Sequence, residues 1–256
     1  MIALSVNLNK IALLRNSRGG DQPNVIEAAE AAIDAGAYGI TVHPRPDQRH
    51  ALPRDVVELA SLLRTRHRGI ELNIEGNPFA GPRDNGYPGF AALIAAARPD
   101  QCTLVPDADN QLTSDHGWDL SGDTARLVEV MADFRSHGAR VSLFMDPVVD
   151  QIDRAAALGV ERIELYTGPF AESVRANGVA SAEANANLET YAAAARHATQ
   201  LGLGVNAGHD LDLVNLPLFR RIDCVLEVSI GHALIADALR MGFTAAVRAY
   251  LEALKT

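Results

Sequence analysis

Cysteine, lysine and aromatic side chains are scarce in this chain. There are two cysteines, Cys102 and Cys224, far apart and in no Cys-x-x-Cys pair. That excludes a secreted disulfide framework and a zinc ribbon, and each lies in an apolar run where a buried reduced thiol is expected. The lysines are Lys10 and Lys255 alone, and 23 basic residues face 32 acidic ones for a net charge of -9. Such a balance disfavours a sequence-independent nucleic-acid binder. No apolar run approaches the roughly 18 residues that would suggest a membrane span. Met1-Ile2-Ala3-Leu4-Ser5-Val6-Asn7 has neither a basic start nor a long apolar stretch, so no signal peptide is expected. A soluble cytoplasmic protein is the expectation. Gly-x-Gly-x-x-Gly, His-x-His and His-Glu-x-x-His patterns are all missing.

What is present is a globular composition: 256 residues, 48% apolar and 21% charged, at a mean hydropathy of zero. Short apolar runs at 2–6, 39–43, 70–75, 101–105, 140–145, 162–166, 204–206 and 224–229 have the length of buried strands. Ala-rich stretches of helical period separate them. One spans 25–35 between Asn24, a good N-cap, and Gly36, and others span 54–66, 124–136, 182–200, 232–241 and 244–254. Repeated β-α units imply parallel strands joined by right-handed crossovers. Eight in a chain of this length predict one α/β domain over 1–256, a closed (β/α)8 TIM barrel rather than an open doubly wound sheet. Two connections, 76–89 and 106–122, are long and rich in Gly, Pro, Asp and Asn, as functional lids or interface pieces often are.

A barrel of this kind builds its active site at the C-terminal ends of its strands. Those ends carry Asn7, His43, Glu75, Asp146, Thr167, the segment Asn206-Ala207-Gly208-His209 and the segment Ser229-Ile230-Gly231-His232. Alternation puts Glu71, Asn73 and Glu75 on one strand face, and an inward carboxylate is costly unless partnered or catalytic. Glu71 is the alternative, nearer the strand's start. His43 leads into Arg45, Arg49 and His50, which in an acidic chain suggests an anion-binding lip; Arg15 and Arg18 add charge beside Gly19 and Gly20. The glycines of the last two strand ends, with a helix starting at His232, suggest a phosphate site. His43, Glu75 and His209 also resemble a His2Glu zinc set, against which stand the missing metal motifs and the arginines crowding the mouth, and Lys10 is the one lysine near enough to a strand end for a Schiff base.

Segments spread along the chain carry a resemblance. They are Val6-Asn7-Leu8-Asn9-Lys10-Ile11-Ala12, Leu14-Arg15-Asn16-Ser17-Arg18-Gly19, Gly39-Ile40-Thr41-Val42-His43-Pro44-Arg45, Leu72-Asn73-Ile74-Glu75, Glu164-Leu165-Tyr166-Thr167-Gly168, Val205-Asn206-Ala207-Gly208-His209 and Ile230-Gly231-His232-Ala233. In that order the chain resembles the pyridoxine 5′-phosphate synthase family of vitamin B6 synthesis. The resemblance implies a TIM barrel with extra helices, assembled as a homo-octamer and using no metal or organic cofactor. It implies two small phosphorylated substrates, 1-deoxy-D-xylulose 5-phosphate and 3-amino-2-oxopropyl phosphate, which are condensed to pyridoxine 5′-phosphate, phosphate and water. His43 and Glu75 then match proton acceptors and His209 a proton donor. Asn7, Arg18, Asp210, Gly231 and His232 match positions holding the amino-ketone phosphate. Arg45, His50, Thr113, Asn9 and Lys10 match positions around the deoxyxylulose phosphate. Asn9-Lys10 departs from the Asp-His of the family pattern.

Overall fold

The computed structural model describes residues 2–255; Met1 and Thr256, the ends of the expected 1–256 domain, lie outside the described residues. Eight parallel strands form a closed barrel in chain order: β1 (Ala3–Asn7), β2 (Gly39–Val42), β3 (Glu71–Gly76), β4 (Gln101–Leu104), β5 (Arg140–Met145), β6 (Arg162–Tyr166), β7 (Gly204–Gly208) and β8 (Val225–Ile230). Each strand pairs with its neighbour in sequence, and β1 with β8 closes the ring in the register Ser5 to Ser229. Helices α1 (Asn9–Asn16) and α2 (Val25–Ala35) follow β1, α3 (Pro53–Arg66) follows β2, α4 (Phe90–Ala97) follows β3 and α5 (Ala125–Ser136) follows β4. Next come α6 (Val149–Ala157), then α7 (Gly168–Asn177) and α8 (Ala182–Gln200), the short α9 (Leu216–Phe219), and α10 (His232–Met241) with α11 (Phe243–Ala253). The result is the expected (β/α)8 TIM barrel with extra helices. Among the described residues no helix is long and apolar enough to cross a membrane.

Local chemistry sets the helix ends. The Asn24 side chain accepts from the N–H groups of Ile26 (2.8 Å) and Glu27 (3.1 Å), and α2 stops at Gly36 in the left-handed region at φ 112°. Pro53 opens α3, and Asp55 accepts from the Leu52 N–H at 2.7 Å.

The apolar core is a ring between sheet and helices. Leu4, Val6, Ile40, Ile74, Leu143, Ile163 and Leu165 point outward from the strands and meet small helical faces such as Ala29, Ala32, Ala194 and Ala198. The lumen takes the alternate residues, most of which are polar. Ser5 bonds Thr41 (2.7 Å), Thr103 donates to Asn73 (3.1 Å), and Arg162 donates to Asn206 (3.0 Å). Barrels of this type usually fill that space with branched apolar side chains. At the N-terminal end Arg140 grips both carboxylate oxygens of Glu71 at 2.5 and 3.3 Å, and Arg162 lies 3.5 Å from Glu227.

Two expectations need correction. Cys102 is buried, its thiol pushed up to about 12 by burial, but Cys224 is only half-buried, because it precedes β8 rather than lying within it. Arg15 is not part of a basic lip. It is buried and bonds both oxygens of Asp55 at 2.5 and 2.8 Å, tying α1 to the start of α3. Sequence spacing cannot show a partner 40 residues away.

Candidate active site

One cavity of about 450 Å³ opens at the C-terminal ends of the strands. Asn7, Asn9, Lys10, His43, Arg45, His50, Glu75, Thr113, His209, Asp210, Gly231 and His232 all line it. Arg18, expected beside them, does not; it is exposed in the turn after α1. Glu71 lies at the other end of β3, held by Arg140.

Glu75 stands at the seam where the barrel closes. Asn7 of β1 donates to its Oε2 at 3.3 Å and Ser229 of β8 to its Oε1 at 3.5 Å. Neither carries charge, so little offsets the cost of burial. Burial, with the repulsion of Asp107 behind it, pushes the Glu75 carboxyl up to about 7 against the pull of His209 and Arg45. His43 Nδ1 is 3.8 Å from Glu75. Burial, then the charges of Arg45, His50 and Arg49, hold His43 well below the ordinary histidine range, so it is neutral at pH 7. The contact is therefore between a neutral imidazole and a carboxyl titrating near neutrality, and not a standing ion pair.

The backbone of His43 is fixed from both sides. Its N–H donates to the Asn9 side-chain oxygen at 2.8 Å, while the Asn7 side-chain oxygen accepts from the Asn9 N–H at 3.0 Å. Its carbonyl accepts from His50 Nδ1 at 2.8 Å, which assigns that proton to Nδ1. Burial lowers His50 to about 4, so it too is neutral. The arginines of this loop are partly occupied. Arg45 is paired with buried Asp107, and Arg49 reaches the carbonyls of Gln111 and Leu112 at 2.7 and 2.8 Å. Lys10 forms no ion pair among the described residues.

Across the cavity, His209 and Asp210 have φ of 86° and 57°, a backbone form unusual without glycine and common where structure serves a site. Thr167 Oγ1 donates to the Gly208 carbonyl at 2.7 Å and also reaches the His209 carbonyl. His209 Nε2 is 2.8 Å from Thr113 Oγ1, and its Nδ1 is 3.3 Å from Asp210, whose carboxyl that contact holds below its usual range. The Tyr166 ring meets His209 edge-on at 5.2 Å. Gly231 follows β8 and packs on Asn7, where a Cβ would lie 3.1 Å from the Asn7 side chain, and α10 starts at His232. Backbone N–H groups at such a helix start suit an anion.

Sequence reasoning missed Glu164 as a site residue. It is buried in β6, lines the cavity, and has one oxygen without a hydrogen-bond partner. Burial, then the negative charges of Glu75 and Glu227, raise it well above the carboxylate range. Gly208 exists to admit it, since a Cβ there would sit 2.2 Å from a Glu164 oxygen. The available signal was the alternation Arg162, Glu164, Tyr166, which places all three inward. Also missed were Asp107 and the aromatic wall of Phe144 and Tyr166, whose rings are 5.5 Å apart. Among the described residues no group of three His, Cys, Asp or Glu is placed to hold a metal ion.

A family profile described as pyridoxal phosphate biosynthesis protein PdxJ matches residues 4–256. The chain belongs to this family. Its relatives include a pyridoxine 5′-phosphate synthase of Xanthomonas axonopodis pv. citri, 56% identical over 99% of this chain and 96% of that one. Another is the synthase of Xylella fastidiosa, 55% identical over 98% of this chain and 94% of that one. Among solved structures, the 3-hexulose-6-phosphate synthase of Salmonella typhimurium superposes with a TM-score of 0.64 at 12% identity, covering 99% of this chain and 98% of its own. The thiamine phosphate pyrophosphorylase of Pyrococcus furiosus gives 0.57 at 12%, covering 99% and 95%. At that identity the likeness is one of fold. In this chain the cavity holds two buried carboxyls, Glu75 and Glu164, both raised above the usual carboxylate range.

Proposed function

We propose that this chain makes pyridoxine 5′-phosphate by condensing 1-deoxy-D-xylulose 5-phosphate with 3-amino-2-oxopropyl phosphate, the 1–256 barrel acting as one domain. The observation that carries the proposal is a carboxyl titrating near neutrality between two anion-suited rims of one cavity, in a chain of this family. The amine of one substrate attacks the ketone of the other, and loss of water leaves a Schiff base. Elimination of phosphate, loss of a second water and carbon–carbon ring closure then give the aromatic product. Each stage moves a proton at carbon, nitrogen or oxygen, which calls for acids and bases poised near pH 7.

Glu75 and neutral His43 are the proton acceptors in this scheme, and His209 the donor toward a leaving oxygen. Glu164, kept protonated by burial and by the negative charges around it, offers a neutral carboxyl that can donate a hydrogen bond into the cavity. Asn7, Asp210 through its backbone, Gly231 and His232 hold the amino-ketone phosphate, with Arg18 reaching that rim only if its turn moves. Arg45, His50, Thr113, Asn9 and Lys10 surround the deoxyxylulose phosphate; Arg45 then exchanges part of its Asp107 pairing for phosphate oxygens. A cytoplasmic homo-octamer is the assembly proposed. The test is turnover by EDTA-treated protein given both substrates, with pyridoxine 5′-phosphate and phosphate measured in parallel. Equimolar products are expected; folded protein that forms neither overturns the proposal.

A further inference from the structure

A second cleft, of about 470 Å³, lies outside the barrel at the opposite end from the catalytic cavity, between α3, α4 and the starts of β3 and β4. Its floor is apolar, built from Leu63, Ile70, Leu72 and Pro99. Its rim carries Arg64, Arg68 and Arg98. In a chain with nine more negative than positive charges, these three arginines form no ion pair among the described residues. One carboxylate lines the cleft, Asp100, and its Oδ2 is engaged by the Leu72 N–H at 2.8 Å. Three guanidiniums thus face one carboxylate. Arg64 is anchored through the Ala97 carbonyl and Arg68 through the Arg64 carbonyl at 3.2 Å, each by a single nitrogen, which leaves further N–H donors on both.

The described non-glycine residues at positive φ are Gln48, His209, Asp210 and Arg98. The first three flank the catalytic mouth. Arg98 is the one that stands away from it, at φ 48° and ψ 61°, ending α4 where glycine is the unstrained choice. Strained positions of this kind persist where structure holds them, and they cluster at ligand sites. Here the strain places a third arginine on the rim.

We propose that this cleft binds a small phosphomonoester with an apolar body, the phosphate held by the arginines and the body laid on the floor. Guanidiniums recognise phosphate by paired N–H groups, and their stems extend the apolar surface. The proposal does not depend on the reaction assigned to the other end of the barrel.

The test is peptide-resolved phenylglyoxal labelling of the full chain, which reads each arginine separately, so phosphate occupying the catalytic cavity does not interfere. Phenyl phosphate is expected to slow labelling of Arg68 and Arg98 at least fivefold while leaving exposed Arg154 on α6 unchanged. Inorganic phosphate should protect more weakly, and benzyl alcohol not at all. In the R98A variant, phenyl phosphate should no longer protect Arg68, with turnover unchanged. Unchanged labelling of Arg98, or equal protection of Arg154, overturns the site. Protection as strong from inorganic phosphate as from phenyl phosphate overturns the apolar body.

Discussion

Glu71 and Glu75 are the same residue type on the same face of the same strand, and they live in opposite electrostatic worlds. Glu71, at the N-terminal end of β3, is gripped by Arg140 and partly exposed. Glu75, at the C-terminal end, has a neutral amide, a hydroxyl and a neutral imidazole for company, and its carboxyl is pushed up to about 7. An arginine beside the first makes it a strut. Burial without an arginine bonded to it makes the second an acid–base group at physiological pH. What separates structure from chemistry in this barrel is therefore the partner, and the partner comes from a different strand.

The sharpest way to break that contrast is to neutralise each carboxyl in turn. Glu75→Gln should lower kcat/KM by about 10³-fold, within the usual range for a positioned acid–base group, with circular dichroism and Tm preserved. The native pH profile should rise through about pH 7 as Glu75 loses its proton, because the acceptor form is the carboxylate. That limb should vanish in the variant; a limb that survives would assign the titration elsewhere. Glu164→Gln should cost about 10²-fold, since the amide keeps a donor but cannot exchange a proton. A larger loss than Glu75→Gln would invert the order of the two carboxyls. Asn9→Ala removes the acceptor of the His43 N–H and should cost about tenfold, the worth of one buried hydrogen bond; Asn9→Asp should recover most of it in kcat. Glu71→Gln should change turnover less than about threefold and stability by at most about 1 kcal/mol, as expected of a partly exposed pair. A fall comparable to that of Glu75→Gln would end the comparison.

Much of this was legible in the sequence because barrel strands buried on both sides read as short apolar runs, and Asn24 and Gly36 mark a helix by local chemistry alone. The strand-end rule picked Glu75, His43 and His209 without knowing which strands meet. Glu164 escaped because it sits mid-strand, and the strand-end rule selects only the last residues of each strand. Arg15 misled for the converse reason. A basic residue beside Arg18 and two glycines looks like a loop charge until Asp55 is brought to it from α3. Arg45 looked free and is paired, because Asp107 arrives from the loop after β4. Local pattern fixes faces and ends; long-range pairing decides charge state.

The pairing of β1 with β8 joins the first strand of the chain to the last. Glu75 touches Asn7 on one side of that joint and Ser229 on the other, and Gly231 packs on Asn7. Translation therefore delivers one half of the site's floor first and the other half last, and no truncated nascent chain can hold it. During refolding, helix content can recover while the ring is still open. Enzymatic activity should be the last signal to return, a clock set by the meeting of the chain's two ends.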